Sequence, residues 1–380
     1  MSKKLCHEDY TVGWICPLEV EYLPAVVMLD EEHQRLPQPP HDHNVYTLGS
    51  IHGHNIVIAC LPGAGNNSAA TAATQMRNTF TSLRFVLLVG IGGGVPTKTD
   101  NGYIRLGDLV VSKPAGEHSG VVQYDRGKAM AGTFRRTGSL APPPKLLLNV
   151  AQELAIRRVL SMKDPLKENL KRINTSSRVF RKYRFPGREQ DRLYKASYPH
   201  RNPESQCTEC GCDPEMLLHR DDNGYEDDYD EEIVIHRGNI ASGEMVIKDG
   251  MLRDKLAAQF DILCFEMEAA GVLDDTPCLV IRGISDYSDS HKNNQWQGYA
   301  AAVAAAYARQ LFFHLPIDAI AKEPRMARIQ EIGHDVKTLM EMTSKVFLDD
   351  RQEVHAWRSA RDPSLNSNLA SERRGTHASG

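Results

Sequence analysis

The chain has 380 residues, 41% of them hydrophobic, and a formal net charge of −4, with a pI near 6.4. That suffices for one large core with appendages, and the lack of a basic surplus argues against duplex nucleic acid as a partner, since duplex binders carry cations for the phosphates. The opening residues 1–11 are polar and charged, and no stretch reaches the roughly 18 apolar residues of a membrane span, so the expectation is a cytoplasmic protein with no membrane contact.

Thr11 to Cys16 reads as a short apolar strand closed by Pro17, and Glu19 to Leu29 has the spaced apolar residues of an early helix. Glu21 falls in its first turn, where a carboxylate also suits the helix dipole. Val45 to Leu61 reads as a hairpin turning at His52-Gly53-His54-Asn55, with both histidines exposed. Pro62 to Ser68 leads into an alanine-rich helix ending near Met76. Glycines ahead of a helix can offer amides to an anion, and equally make a plain tight turn. Phe85 to Val89 is a fully apolar strand, and the glycines of Gly90-Ile91-Gly92-Gly93-Gly94, read as the loop after it, let a ligand approach the backbone closely. Gly107-Asp108 is a structural turn and Pro142 to Leu160 a surface helix. The cysteines Cys16, Cys60, Cys264 and Cys278 lie in apolar runs and read as reduced packing thiols.

From Lys163 to Glu232 the periodicity fails over more residues than a loop in a compact domain normally has. It reads as an irregular insertion at about 163–232 within a catalytic domain of residues 1–320. Its basic run, Arg178, Arg181, Lys182, Arg184, Arg188 and Arg192, is interleaved with Phe180, Tyr183, Phe185 and Tyr194, which suits either a nucleotide or a solvated face. Cys207, Cys210 and Cys212 with His219 include one zinc-like spacing. The second cysteine pair is missing and the rest matches no standard finger, so zinc there stays open and no metal is assigned. Asp221 to Glu232 is strongly acidic and expected to be mobile.

Val234 to Ile240 returns to strand. Two apolar runs follow, Ile262 to Phe265 delivering Glu266-Met267-Glu268, and Cys278 to Ile281 delivering Arg282-Gly283-Ile284-Ser285-Asp286. Such runs suit strands buried on both faces, and their carboxyl ends are where open α/β sheets hold ligands. Carboxylates at neighbouring strand ends suit cleavage of an N-glycosidic bond, which needs a proton for the leaving base, an activated water and a partner for the ribose hydroxyls. Ser288 to Trp296 is a polar loop in which Asp289 rivals Asp286 as the acid, and Tyr299 to Leu315 is an alanine-rich helix. Residues 321–380 read as a C-terminal helix, with Ile329, Ile332, Val336, Leu339, Thr343 and Val346 on one face, and a disordered tail from Arg358.

Glu266-Met267-Glu268-Ala269 followed by Arg282-Gly283-Ile284-Ser285-Asp286 resembles the nucleoside phosphorylase and nucleosidase superfamily, in particular methylthioadenosine nucleosidases. Ile240-Ala241-Ser242-Gly243 and Ser288 to Asn293 are similar to its fungal branch, often the N-terminal domain of NLR-like receptor proteins. The resemblance runs from about Tyr10 to about Leu315 and rests on several motifs in order. It implies a three-layer α/β/α fold around a central mixed, partly barrel-like sheet, and a homo-oligomer of a dimer or larger. The activity it implies is hydrolysis of purine nucleosides, as in purine salvage, to free base and ribose. Asp286 would protonate the base, Glu21 with Arg282 would activate water, and Glu268, Met267, Phe265, Gly92, Gly93, Val246 and Ser285 would bind substrate, without cofactor or metal. An aromatic residue is usual near Val246, which weakens the expectation of methylthioadenosine. Leu88 and Ile91 stand where the superfamily's phosphorylases clamp phosphate, which favours water as nucleophile. The alternatives are a purine nucleoside phosphorylase, an N-glycosidase of nucleotides such as ATP, and a non-catalytic nucleoside-sensing module. Catalysis by this scheme requires Asp286 protonated and Glu21 ionised.

Overall fold

The computed structural model describes residues 5–202, 205, 207, 209–220 and 232–326. The helical face expected from Ile329 onward, the tail and most of the acidic stretch lie outside the described residues.

The fold starts from apolar strands too hydrophobic to face water. Strand β1 (Val12–Cys16) is buried at every position, and helix α1 (Glu19–Val27) follows it directly. The short β2 (Glu31–His33) pairs antiparallel with β3 (Tyr46–Ile51), which turns into β4 (His54–Cys60). His52 and Gly53 both have positive φ, 49° and 80°, as a two-residue turn matched to strand twist requires. His52 is exposed as expected, but His54 is not: it is 2% exposed, and its Nε2 lies 2.9 Å from the Leu315 carbonyl. Helix α2 (Asn66–Thr79) leads to β5 (Phe85–Gly94). The predicted glycine loop is therefore the last half of a strand, not a loop after one.

After β5 come β6 (Lys98–Thr99), β7 (Gly102–Tyr103), β8 (Leu109–Ser112), β9 (Val121–Gln123), and a small hairpin of β10 (Gly127–Met130) and β11 (Thr133–Arg136). Helices α3 (Lys145–Leu160) and α4 (Pro165–Leu170) precede β12 (Ile235–Ser242), α5 (Gly250–Phe260), β13 (Ile262–Glu266), α6 (Ala269–Leu273), β14 (Cys278–Asp286), α7 (Gln297–Phe312) and α8 (Ile317–Lys322).

The main sheet runs β13-β12-β8-β14-β5-β1-β4-β3-β2. It mixes parallel pairs, such as β14 with β5, and antiparallel ones, such as β14 with β8. Antiparallel pairing of Cys264 and Phe265 in β13 with Gly94 and Gly93 in β5 bends one end back on itself. The result is a closed five-strand barrel-like core with helices packed around it, as expected. Closure is what matters for function, because it brings the carboxyl ends of β5, β13 and β14 together. Among the described residues no helix is long and apolar enough to cross a membrane.

The insertion is more regular than its sequence suggested. Asp164 caps α4 by accepting the Leu166 amide at 3.0 Å, and Asn169 donates to the Ala306 carbonyl of α7 at 3.3 Å. The aromatic residues of the basic run pack inward: Tyr183 is buried, and Phe185 packs edge-on to Trp296 and Tyr299. Arg188 donates to the Leu106 and Glu232 carbonyls at 2.9 and 2.7 Å. Asp191, whose side chain is buried, then accepts from Tyr287 at 2.5 Å and from Arg220 at 2.8 Å, tying the insertion to the residue beside Asp286.

Candidate active site

Glu21 enters from the first turn of α1 and is 3% exposed. Its Oε2 accepts the Leu18 amide at 2.6 Å and its Oε1 the Ile91 amide at 2.7 Å. A Cβ on Gly90 would lie 2.4 Å from Glu21 Oε1 and 2.8 Å from an Arg282 nitrogen, so glycine there makes the room in which acid and guanidinium approach. Burial pushes the Glu21 carboxyl up to about 8, against the pull of Arg282 and the Ile91 amide. The expected ionised base is thus neutral over much of the neutral range in the ligand-free site.

Arg282, on β14, is 1% exposed. Its Nη2 donates to Glu266 at 2.5 Å and to Glu268 at 3.0 Å, and its Nη1 to the Ile91 carbonyl at 3.2 Å. Burial opposes the guanidinium charge, but Glu266, Glu268 and Glu21 outweigh it and hold Arg282 protonated. Glu266, at the end of β13, also accepts the Glu268 amide at 3.0 Å and the Ala269 amide at 2.9 Å. Its carboxyl is raised by burial and drawn back by Arg282. Glu268 Oε1 accepts the Gly65 amide at 3.1 Å, while Glu244 Oε1 takes the Asn66 amide at 3.1 Å. The α2 amides considered for an anion therefore already serve carboxylates.

Glu21, Gly92, Gly93, Val246, Phe265, Met267, Glu268, Arg282 and Ser285 line one cleft, with Ile91, Ser288 and Lys292 among its further walls. Asp286 lines an adjoining cavity with Arg192, Tyr194, Cys207 and Asp289, and Ser285 and Lys292 border both spaces. Asp286 Oδ2 accepts from Lys292 Nζ at 2.6 Å and from Ser285 Oγ at 2.9 Å, and Oδ1 accepts the Ser288 amide at 2.9 Å. Its rival Asp289 accepts the His291 amide at 2.9 Å and lies 3.8 Å from Arg253.

Sequence reasoning passed over the partners of these residues. Glu266 was visible in the motif, but its hold on Arg282 depends on barrel closure. Lys292 lies in a polar loop, and only the return of that loop over β14 puts it on Asp286. Ser288, with a positive φ of 51°, makes that reversal.

The closed barrel with an acid-lined cleft at its strand ends fits one family, and the chain belongs to it: the Phosphorylase superfamily, whose profile matches residues 11–312. It is 44% identical over 310 residues to a nucleotide-binding leucine-rich repeat (NLR)-like protein of Hyaloscypha variabilis, covering 81% of this chain and 29% of that one. It is 25% identical over 264 residues to the ATP nucleosidase Cap17 of Escherichia coli, covering 68% of this chain and 41% of that one. The chain thus spans less than half the length of either relative. Among solved structures, futalosine hydrolase of Helicobacter pylori superposes with a TM-score of 0.51 at 18% identity, over 80% of this chain and 98% of that one. The 5'-methylthioadenosine/S-adenosyl homocysteine nucleosidase of the same organism gives 0.50 at 16%, over 80% and 97%. At those identities the likeness is one of fold.

Proposed function

We propose that the chain hydrolyses the N-glycosidic bond of purine nucleosides, releasing the free base and ribose. The observation that carries this reading is the pairing of Arg282 Nη2 with both Glu266 and Glu268. A phosphorylase needs an uncommitted cation for its anionic nucleophile. In this cleft Arg282 is committed to two carboxylates, and Lys292 rests on Asp286. Water suits the same geometry, with Glu21 taking its proton as oxygen attacks the anomeric carbon. Glu268 receives the ribose hydroxyls, Met267 and Phe265 pack on the sugar, and Asp286 delivers the proton to purine N7 as the C–N bond breaks. Because Lys292 holds Oδ2 in the ligand-free site, base binding must move the ammonium away before that oxygen carries a proton.

A nucleotide substrate is the second reading. Arg192 on the adjoining cavity supplies a cation on the side of Asp286 where a charged group could be received, and one relative is named an ATP nucleosidase. The test is to incubate the chain with adenosine, guanosine, inosine, uridine, methylthioadenosine and ATP, with and without phosphate, and identify both products. Free base and unphosphorylated C1 at equal rates in both buffers support hydrolysis. Ribose 1-phosphate as the main product overturns it, and no turnover of any substrate, with nucleoside still bound, makes the cleft a sensor. Preference for ATP that is lost in Arg192→Ala selects the second reading.

A further inference from the structure

Away from the cleft, the insertion gathers three thiols and an imidazole. Cys210 Sγ lies 3.1 Å from His200 Nε2 and 3.4 Å from Cys212 Sγ. The ligand atoms of His200, Cys207 and Cys212 all fall within 4.8 Å of one another. The histidine is His200, upstream of the cysteines, rather than the His219 that sequence spacing suggested. All three cysteines are free thiols.

We infer that His200, Cys207, Cys210 and Cys212 form a closed structural zinc site. Zinc prefers four tetrahedral ligands of this kind, and three thiolates with one imidazole is an established structural set. With Zn–S bonds of about 2.3 Å and Zn–N of about 2.0–2.1 Å, tetrahedral geometry places sulfurs about 3.8 Å apart and sulfur about 3.6 Å from nitrogen. The observed 3.4 and 3.1 Å lie a few tenths of an ångström short of these values, while Cys210 Sγ falls outside the three-residue set mutually within 4.8 Å and must shift to complete the shell. Three reduced thiols converging on one imidazole have little reason to cluster for packing alone, because each offers only a weak donor. Four protein ligands leave no open position, so the ion's role is structural rather than catalytic.

The site has a mechanical target. The His200 amide donates to Ser290 Oγ at 2.8 Å, and the His200 ring meets the His291 ring edge-on at 5.1 Å. Ser290 and His291 belong to the loop that carries Lys292 to Asp286. A metal on His200 therefore fixes the insertion against that loop, much as outer partners fix a ligand's orientation.

The experiment uses the full chain purified under reducing conditions without chelator. Mass spectrometry of metals should find about one zinc per chain, by the four-ligand stoichiometry. Blocking thiols with a mercurial should release it, as measured with a chromogenic chelator. Substitution with Co²⁺ should give thiolate-to-cobalt charge-transfer absorption and the intense visible bands of a tetrahedral ion. The double variant Cys207→Ser/Cys212→Ser should lose these signals and at least tenfold of its zinc content, while Cys6→Ser/Cys60→Ser keeps them. Zinc-free wild-type protein after refolding with added Zn²⁺ overturns the inference, as does an intact mass showing a disulfide between Cys210 and Cys212. So does cobalt with an octahedral spectrum. Because the wild-type readouts are metal content and absorption, they decide the matter even if the double variant fails to fold, and they are independent of whether nucleosides are cleaved.

Discussion

Lys292 Nζ lies 2.6 Å from Asp286 Oδ2, and this pair joins the nucleoside cleft to the cavity under the insertion. The proposed acid is thus tied to a cation six residues downstream, on a loop that borders both spaces.

Asp286→Asn is expected to slow base release on the order of 100-fold or more while leaving nucleoside binding intact, since general acid catalysis contributes about 10²- to 10⁴-fold. Asp289→Asn keeps an acceptor for the His291 amide but removes the charge beside Arg253, so melting temperature should fall more than rate. Stopped assays beside calorimetric binding compare them, and an active Asp286→Asn with an inactive Asp289→Asn would reverse the assignment.

Glu21 must be ionised to take a proton from water, and burial holds it up to about 8. The acidic limb of kcat/KM should therefore rise with pH through about that value rather than levelling off near the ordinary carboxylate range. A profile already flat from about pH 6 to about pH 9, a range that brackets the Glu21 midpoint of about 8, removes Glu21 as the base.

The same residue couples stability to pH. A folded-state value above the ordinary 4.5 means the folded protein holds this proton more tightly. Its contribution is complete below about 4.5 and is lost as pH rises through about 8, on the order of a few kcal/mol. Glu21→Gln is expected to flatten the decline in melting temperature over that window. At the acidic end of the window it should also lower stability, because its amide NH₂ must face the Leu18 or the Ile91 amide. An unchanged slope in thermal scans across the window rules this linkage out.

Gly93→Ala should harm activity before it harms folding. The added Cβ would lie 2.0 Å from Ser288 Oγ and 2.7 Å from Asp286 Oδ1, so both side chains must shift, and with them the carboxylate that Lys292 holds. Overpacking of this kind typically costs about 1–3 kcal/mol. Parallel measurement of rate and melting temperature should show the larger loss in rate, and wild-type turnover would mean the loop is not held where the structure has it.

Much of the cleft was legible because its chemistry is local in sequence. Glu268 and Arg282 stand at the ends of two apolar runs and Glu21 follows a third, while Asp286, four residues beyond Arg282, lines the adjoining cavity instead. What escaped depends on closure and on chain reversals. Gly90 to Gly94 look like a loop because glycines dominate, yet parallel and antiparallel partners on two sides keep them in strand β5. His54 reads as a turn residue until Leu315 arrives from 261 positions away. Tyr183 and Phe185 look like a stacking platform because the sequence cannot show that α7 lies beneath them. His219 was the nearer histidine in one direction only, and the fold uses the one on the other side.

At the end of the sheet remote from the barrel, β2 has just three residues, and Glu31 and Glu32 are both exposed. Among the described residues no strand pairs with its outward edge, which would otherwise be a template for a strand from another chain. Adjacent negative charges on so short a border make edge-to-edge growth unfavourable, a protection of particular value to a domain whose relatives carry it within much longer chains.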